Sequence, residues 1–139
     1  MNVWWFYALL SAVFAALTAV LAKIGIQGVD SNLATAIRTI VILLIAWSIA
    51  WFRGSLSGIT QLSKHNLLFL VLSGIATGLS WVFYFKALQL GKVSQVAPID
   101  KLSVALAIIL SVIFLKETLD WHSAIGALLI IAGTLVLIL

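Results

Sequence analysis

The sequence has no cysteine and a single proline, Pro98. Without cysteine there is no disulfide, no thiol nucleophile and no cysteine-based metal site. Charge is scarce as well. Charged residues make up 9% of the chain, against roughly 25% in a soluble domain. No basic run is longer than one residue, so nucleic acid is not an expected partner. The two histidines, His65 and His122, stand apart near the ends of apolar runs. A metal site needs convergent ligands, so neither a metal nor another cofactor is expected. No nucleophile–base pair lies within the apolar runs, which argues against an enzyme. What the chain has in excess is oil: 64% of its residues are hydrophobic. These features indicate a membrane protein.

A helix needs about 20 apolar residues to cross a bilayer. Five segments qualify, at residues 3–24, 33–52, 67–90, 94–115 and 121–139. Their apolar residues are continuous rather than alternating, which excludes a β-barrel. The connections GIQGVDSN, RGSLSGITQLSKHN, GKVS and KETLD are too short for a soluble domain. The N-terminal run lacks a basic start and a cleavage site, so it reads as a retained helix. Trp4, Trp5 and Tyr7 suit an interfacial anchor on it. The expectation is an all-α membrane protein with five transmembrane helices, its residues 1–139 forming one domain.

Five crossings put the termini on opposite sides. One side receives Arg53, Lys64 and Lys116, and the other has Lys23 and Lys92 near the span ends. Such a bias sets orientation by the positive-inside rule. At three against two it is almost balanced, so insertion in both directions is open.

Polar residues recur inside the spans at helical spacing. Ser73, Thr77, Ser80 and Tyr84 share one face of the third span. Beside them Gly74 and Gly78 form a GxxxG, which permits close approach of another helix. Trp81 and Phe85 continue the glycine side. The first span has a weaker stripe of Ser11, Ala15, Thr18 and Ala22, and the fourth has Asp100, Ser103, Ala107 and Ser111. A single hydroxyl in a span is accounted for by helix packing or by a bond to its own backbone. Three stripes in three spans point instead to a shared polar cleft.

The charges are the sharper signal, because an ionisable group at mid-membrane costs at least about 2.5 kcal/mol and therefore pairs or faces water. Asp100 lies about 9 Å into the fourth helix if that helix begins at Ser94. By span direction Lys23, Arg38, Lys86 and Lys101 belong to the same leaflet, so one carboxylate faces four cations. If the helix begins at Pro98 instead, Asp100 stabilises its N-terminus, but the same dipole disfavours Lys101. A structural ion pair, a role in solute or proton handling, and snorkelling to headgroups all remain open for these charges.

In order along the chain, KAL, APIDKLS, FLKE and GALLIIAGTLVL resemble the EamA type of the drug/metabolite transporter superfamily. Arg38 matches a basic position common in that family. The resemblance covers the whole chain and implies export or exchange of a small metabolite or drug. It further implies one half of an inverted-repeat fold, since most members join two such units in one chain. A single unit rebuilds the repeat only as an antiparallel homodimer. Lys116 departs from the pattern, which often has glycine there. The first span also lacks the coupling carboxylate of the related small multidrug transporters.

The function expected is transport of a small solute across a bacterial or archaeal cell membrane. Membrane lipid and a second copy of the chain are the other expected partners. The residues expected to line the cleft are Ser11, Thr18, Arg38, Ser73, Thr77, Ser80, Trp81, Tyr84, Lys86, Pro98, Asp100, Lys101 and Ser103. In this picture Asp100 and Lys101 stand with Arg38 and Lys86 at its mouth, where Pro98 releases backbone groups for a partner, water or solute. The other class of function kept open is a non-transporting scaffold or regulatory subunit.

Overall fold

A computed structural model describes residues 3–139. The first two residues, where a cleavable leader would have its basic start, lie outside the described residues. The helices are α1 (Trp4–Gly25), α2 (Ser31–Phe52), a 3-10 helix (Ser55–Gln61), α3 (Lys64–Leu90), α4 (Val93–Asp100), α5 (Leu102–Leu110), a π-helical turn (Ser111–Leu115) and α6 (Trp121–Ile138). With α4, α5 and the π turn taken as one span, Val93–Leu115, five helices are long and apolar enough to cross a membrane. The second and fifth spans are each one continuous helix, with no re-entrant hairpin. Large apolar side chains are exposed along these helices, among them Phe14, Leu44 and Leu128. Water would not tolerate so extensive an apolar surface, whereas acyl chains solvate it.

Polar caps extend two helices beyond their apolar runs. Asp30 accepts from the backbone N–H groups of Asn32 (2.9 Å) and Leu33 (3.1 Å), so α2 starts at Ser31 rather than Leu33. Ser63 Oγ accepts from the Asn66 N–H at 3.0 Å, and α3 starts at Lys64 rather than Leu67. Asp120 caps α6 through the Ser123 N–H at 2.8 Å. Each cap satisfies donors that the first helical turn leaves unpaired.

The chain divides into two compact units, Leu21–Gln89 and Met1–Val20 with Leu90–Leu139. In the first unit the turn after α1 places Gly28 at φ 73°, a left-handed conformation natural to glycine. Lys23 Nζ donates to the Leu88 carbonyl, and Gln89 Nε2 donates to the Val29 and Ile26 carbonyls. A lysine there satisfies a carbonyl left open at the end of α3 and complements its dipole. The buried residues of this unit are Ala22, Ile26, Ser31, Ala34, Thr35, Phe85 and Leu88.

In the second unit α6 packs against α4 and α5. Its buried residues include Ala19, Val96, Ala105 and Thr134. Small residues recur in both sets, as expected where lipid supplies no hydrophobic drive and backbones must approach closely. Pro98 does not open a helix. It is the sixth residue of α4, which starts at Val93, so Asp100 stands at the end of that helix and not in its first turn. Proline cannot donate to the carbonyl four residues back. The helix yields three residues after Pro98: Lys101 forms a turn, and α5 resumes at Leu102. The Pro98 carbonyl accepts from the Lys101 N–H at 3.0 Å. Thr134 Oγ1, whose shorter bond is to the Ile130 carbonyl at 2.7 Å, lies 3.2 Å from it.

The fourth span ends in the π turn, with Lys116 at φ 55° and its N–H directed to the Ser111 carbonyl. The position explains the glycine that the resemblance sets there. An L-residue in the left-handed region is strained by about 1–2 kcal/mol, partly offset by the greater chain entropy that glycine would lose. Lys116→Gly is therefore expected to stabilise the protein by about 0.5–1 kcal/mol in thermal unfolding in detergent. A lower midpoint would show that the lysine side chain contributes more than the strain costs.

Candidate functional site

The most distinctive arrangement surrounds Arg38. This residue is on α2, and its guanidinium carbon lies 4.1 Å from the ring centroid of Phe85 and 5.7 Å from that of Trp81, both on α3. Phe85 is 1% exposed, so its ring is fixed. The Arg38 side chain is half-buried, and Nη1 is fully buried with no hydrogen-bond partner among the described residues. Stacking on aromatic faces contributes about 0.5–2 kcal/mol and leaves the in-plane N–H donors available.

A hydroxyl stripe that the sequence reading passed over runs along the same helix. Ser31, Thr35 and Thr39 are spaced by four, and Ser31 and Thr35 are buried. Thr35 Oγ1 donates to the Ser31 carbonyl at 2.7 Å and Thr39 Oγ1 to the Thr35 carbonyl at 2.9 Å. Helical spacing, applied to the second span as it was to the third, would have found this stripe. Phe85 was also legible only as a neighbour of the glycine side.

In the third span Ser73, Thr77 and Ser80 are exposed, and Trp81 and Tyr84 are half-buried. Thr77 Oγ1 bonds the Ser73 carbonyl at 2.9 Å. A side chain built at Gly74 or Gly78 would meet nothing within 4 Å, so the chain itself does not make the close helix approach this GxxxG permits. Lys86 is exposed. Lys23, one of the four cations considered for Asp100, is engaged with the Leu88 carbonyl.

In the second unit Asp100 Oδ2 lies 3.4 Å from Lys101 Nζ, with the side chains 36% and 55% exposed. Pro98 and Thr18 are half-buried, while Ser11 and Ser103 are exposed. Neither side chain is buried within the unit, so removing the carboxylate strands no enclosed cation. Asp100→Asn is therefore expected to leave the fold intact. Loss of folded protein would show that the carboxylate neutralises a buried cation, whose stranding costs about 3–5 kcal/mol. No group of three or more potential metal ligands occurs among the described residues.

Five apolar spans among the described residues make this a membrane protein, and comparison with known proteins identifies its family. The EamA-like transporter family matches residues 2–139. The chain belongs to this family. A Sinorhizobium sp. protein, named an uncharacterized transporter in the cobO 3' region, is 48% identical over 134 residues, covering 96% of this chain and 95% of the relative. An uncharacterized protein of Methanocaldococcus jannaschii is 35% identical over 71 residues, covering 51% of this chain and 52% of that protein. No solved structure matches the chain. As an EamA-family member it is an integral membrane protein of a transport family, with a small solute as cargo and lipid as surroundings.

Proposed function

We propose that the chain exports or exchanges a small solute as an antiparallel homodimer in a bacterial or archaeal cell membrane, each copy supplying one half of an inverted repeat. The observation that carries this reading is the outward face of α3. Ser73, Thr77 and Ser80 are exposed, and Gly74 and Gly78 beside them are uncovered. Hydroxyls gain nothing from acyl chains, and open glycines invite a close backbone. A second copy facing this surface would enclose the polar groups in a cleft near mid-membrane, where inverted repeats hold their sites. The Sinorhizobium relative, matched over 95% of its length and named a transporter, supports the transport part of this reading.

The dimer seam would also use α6, whose small residues recur at helical spacing. Of Ser123, Gly126, Ala127, Gly133 and Thr134, the last is buried within its own unit against the Pro98 carbonyl. Gly126 and Gly133 stay open, with nothing within 4 Å of a built side chain.

The test is cysteine substitution at Ser73, Thr77, Ser80 and Tyr84, probed in membranes with a water-soluble thiol reagent. Several positions are expected to label more strongly than Leu70 and Leu79. Equal labelling at all six would mean that this face meets lipid. A metabolite panel in thermal-shift assays, followed by flux in proteoliposomes, then identifies the cargo.

A further inference from the structure

We infer that Arg38 is an anion-recognition residue, and that the transported solute carries a carboxylate or phosphate group bound by its guanidinium. This rests on the transport reading and narrows its substrate class.

Arg38 is the eighth residue of α2, roughly 12 Å along the helix from its N-terminal end. An arginine at such a depth needs a partner. The rings of Phe85 and Trp81 lie against its guanidinium, and Tyr84 interacts with its charge. One of its nitrogens, Nη1, is buried without a hydrogen bond among the described residues.

The surrounding unit offers no counter-ion. Between residues 31 and 99 the sequence contains no aspartate or glutamate. The unit Leu21–Gln89 therefore holds one carboxylate, Asp30, and that side chain accepts from two backbone N–H groups at the start of α2. The nearby hydroxyls of Thr35 and Thr39 donate to backbone carbonyls. A guanidinium held against two rings, with Nη1 lacking a hydrogen bond, suits the parallel hydrogen bonds that a carboxylate or phosphate accepts. Lysine at this position would supply charge without the planar fork.

The full chain, purified in lipid-free detergent at constant ionic strength, is exposed to matched pairs: benzoate and benzamide, glucose 6-phosphate and glucose. Binding is read by thermal shift and by tryptophan fluorescence. The anionic member of at least one pair is expected to bind wild type more tightly than its neutral match. Arg38→Met should weaken that anion tenfold or more and leave the neutral compound unchanged, while Arg38→Lys retains part of the affinity. Equal response to both members of every pair overturns the proposal, and that comparison needs only wild type. Equal anion binding by Arg38→Met overturns it as well, and Arg38→Gln serves if the methionine variant does not fold. Mass spectrometry of co-purified lipid separates the two sources of phosphate. Phospholipid retained by wild type and lost by Arg38→Met, with no response to either soluble anion, would assign the residue to a headgroup and refute a solute anion site. Proteoliposome flux keeps the two readings distinct. Anion flux unchanged in Arg38→Met sinks the anion assignment alone. Anion binding without flux of any bound compound sinks transport alone.

Discussion

Two added lysines in the connection between α2 and α3 are expected to reduce solute flux to background. The side that receives this connection has Arg53, Lys64 and Lys116, against Lys23 and Lys92 near the span ends on the other. Orientation follows such differences, and three against two is nearly neutral. Gly58→Lys with Gln61→Lys makes it five against two. Both positions lie in the 3-10 helix Ser55–Gln61 and are exposed, and a side chain at Gly58 meets nothing within 4 Å. Neither lines the apolar groove of about 280 Å³ that Ala46, Trp47, Ala50, Ser55, Leu56 and Ile59 form. The fold should survive while every copy inserts the same way. An antiparallel pair then cannot assemble. Gly25→Lys and Gln27→Lys, at the end of α1 and in the turn after it, combined with Lys64→Gln make it two against four, which should force the opposite orientation and restore flux on co-expression. If the first variant alone keeps full flux, the antiparallel dimer is wrong and a parallel dimer or a monomer carries the activity.

Phe85→Ala is expected to be the most destabilising single substitution in the first unit, by about 2–3 kcal/mol. Burial of an aromatic ring in a water-soluble core is worth more, about 3–5 kcal/mol on truncation. In a bilayer part of that is absent, because lipid tails solvate the ring in the separated helices as well. What remains is the cavity and the lost face for Arg38, whose guanidinium carbon sits 4.1 Å from the ring centroid. Phe83→Ala is the control. Phe83 is 71% exposed, against 1% for Phe85, so its truncation should change stability little. Reversible unfolding in mixed micelles compares the two. Equal midpoints would mean that α2 and α3 are not held together through this ring.

The spans were legible because bilayer thickness demands a run of fixed length, and such a run has few other readings. Their ends were less so. Apolarity marks where the membrane is, whereas a helix starts where donors find acceptors, and Asp30 and Ser63 moved the starts of α2 and α3 outward. The interruption at Lys101 was missed for a related reason. Pro98 announced a defect, but whether it starts a helix or interrupts one depends on where the helix before it begins, and that is Val93 rather than Pro98. The 3-10 helix read as a polar loop, since its half-buried Leu56 is informative only once Trp47 stands beside it.

The sequence by itself determined an all-helical membrane protein of five spans, the EamA resemblance that family comparison showed, and the faces on which hydroxyls and glycines recur. Those properties are local, set by run length and by a period of 3.6 residues. Tertiary structure decided the partner of each charge. Lys23 closes a helix end at Leu88, Lys101 meets its neighbour Asp100, and Arg38 stacks on Phe85 and Trp81. Helical phase states which side a residue occupies, but not how that helix is rotated toward the next. Four cations competing for one carboxylate in the sequence therefore became, in space, one weak ion pair, one helix cap and one guanidinium whose Nη1 lacks a hydrogen bond among the described residues, while Lys86 remained exposed.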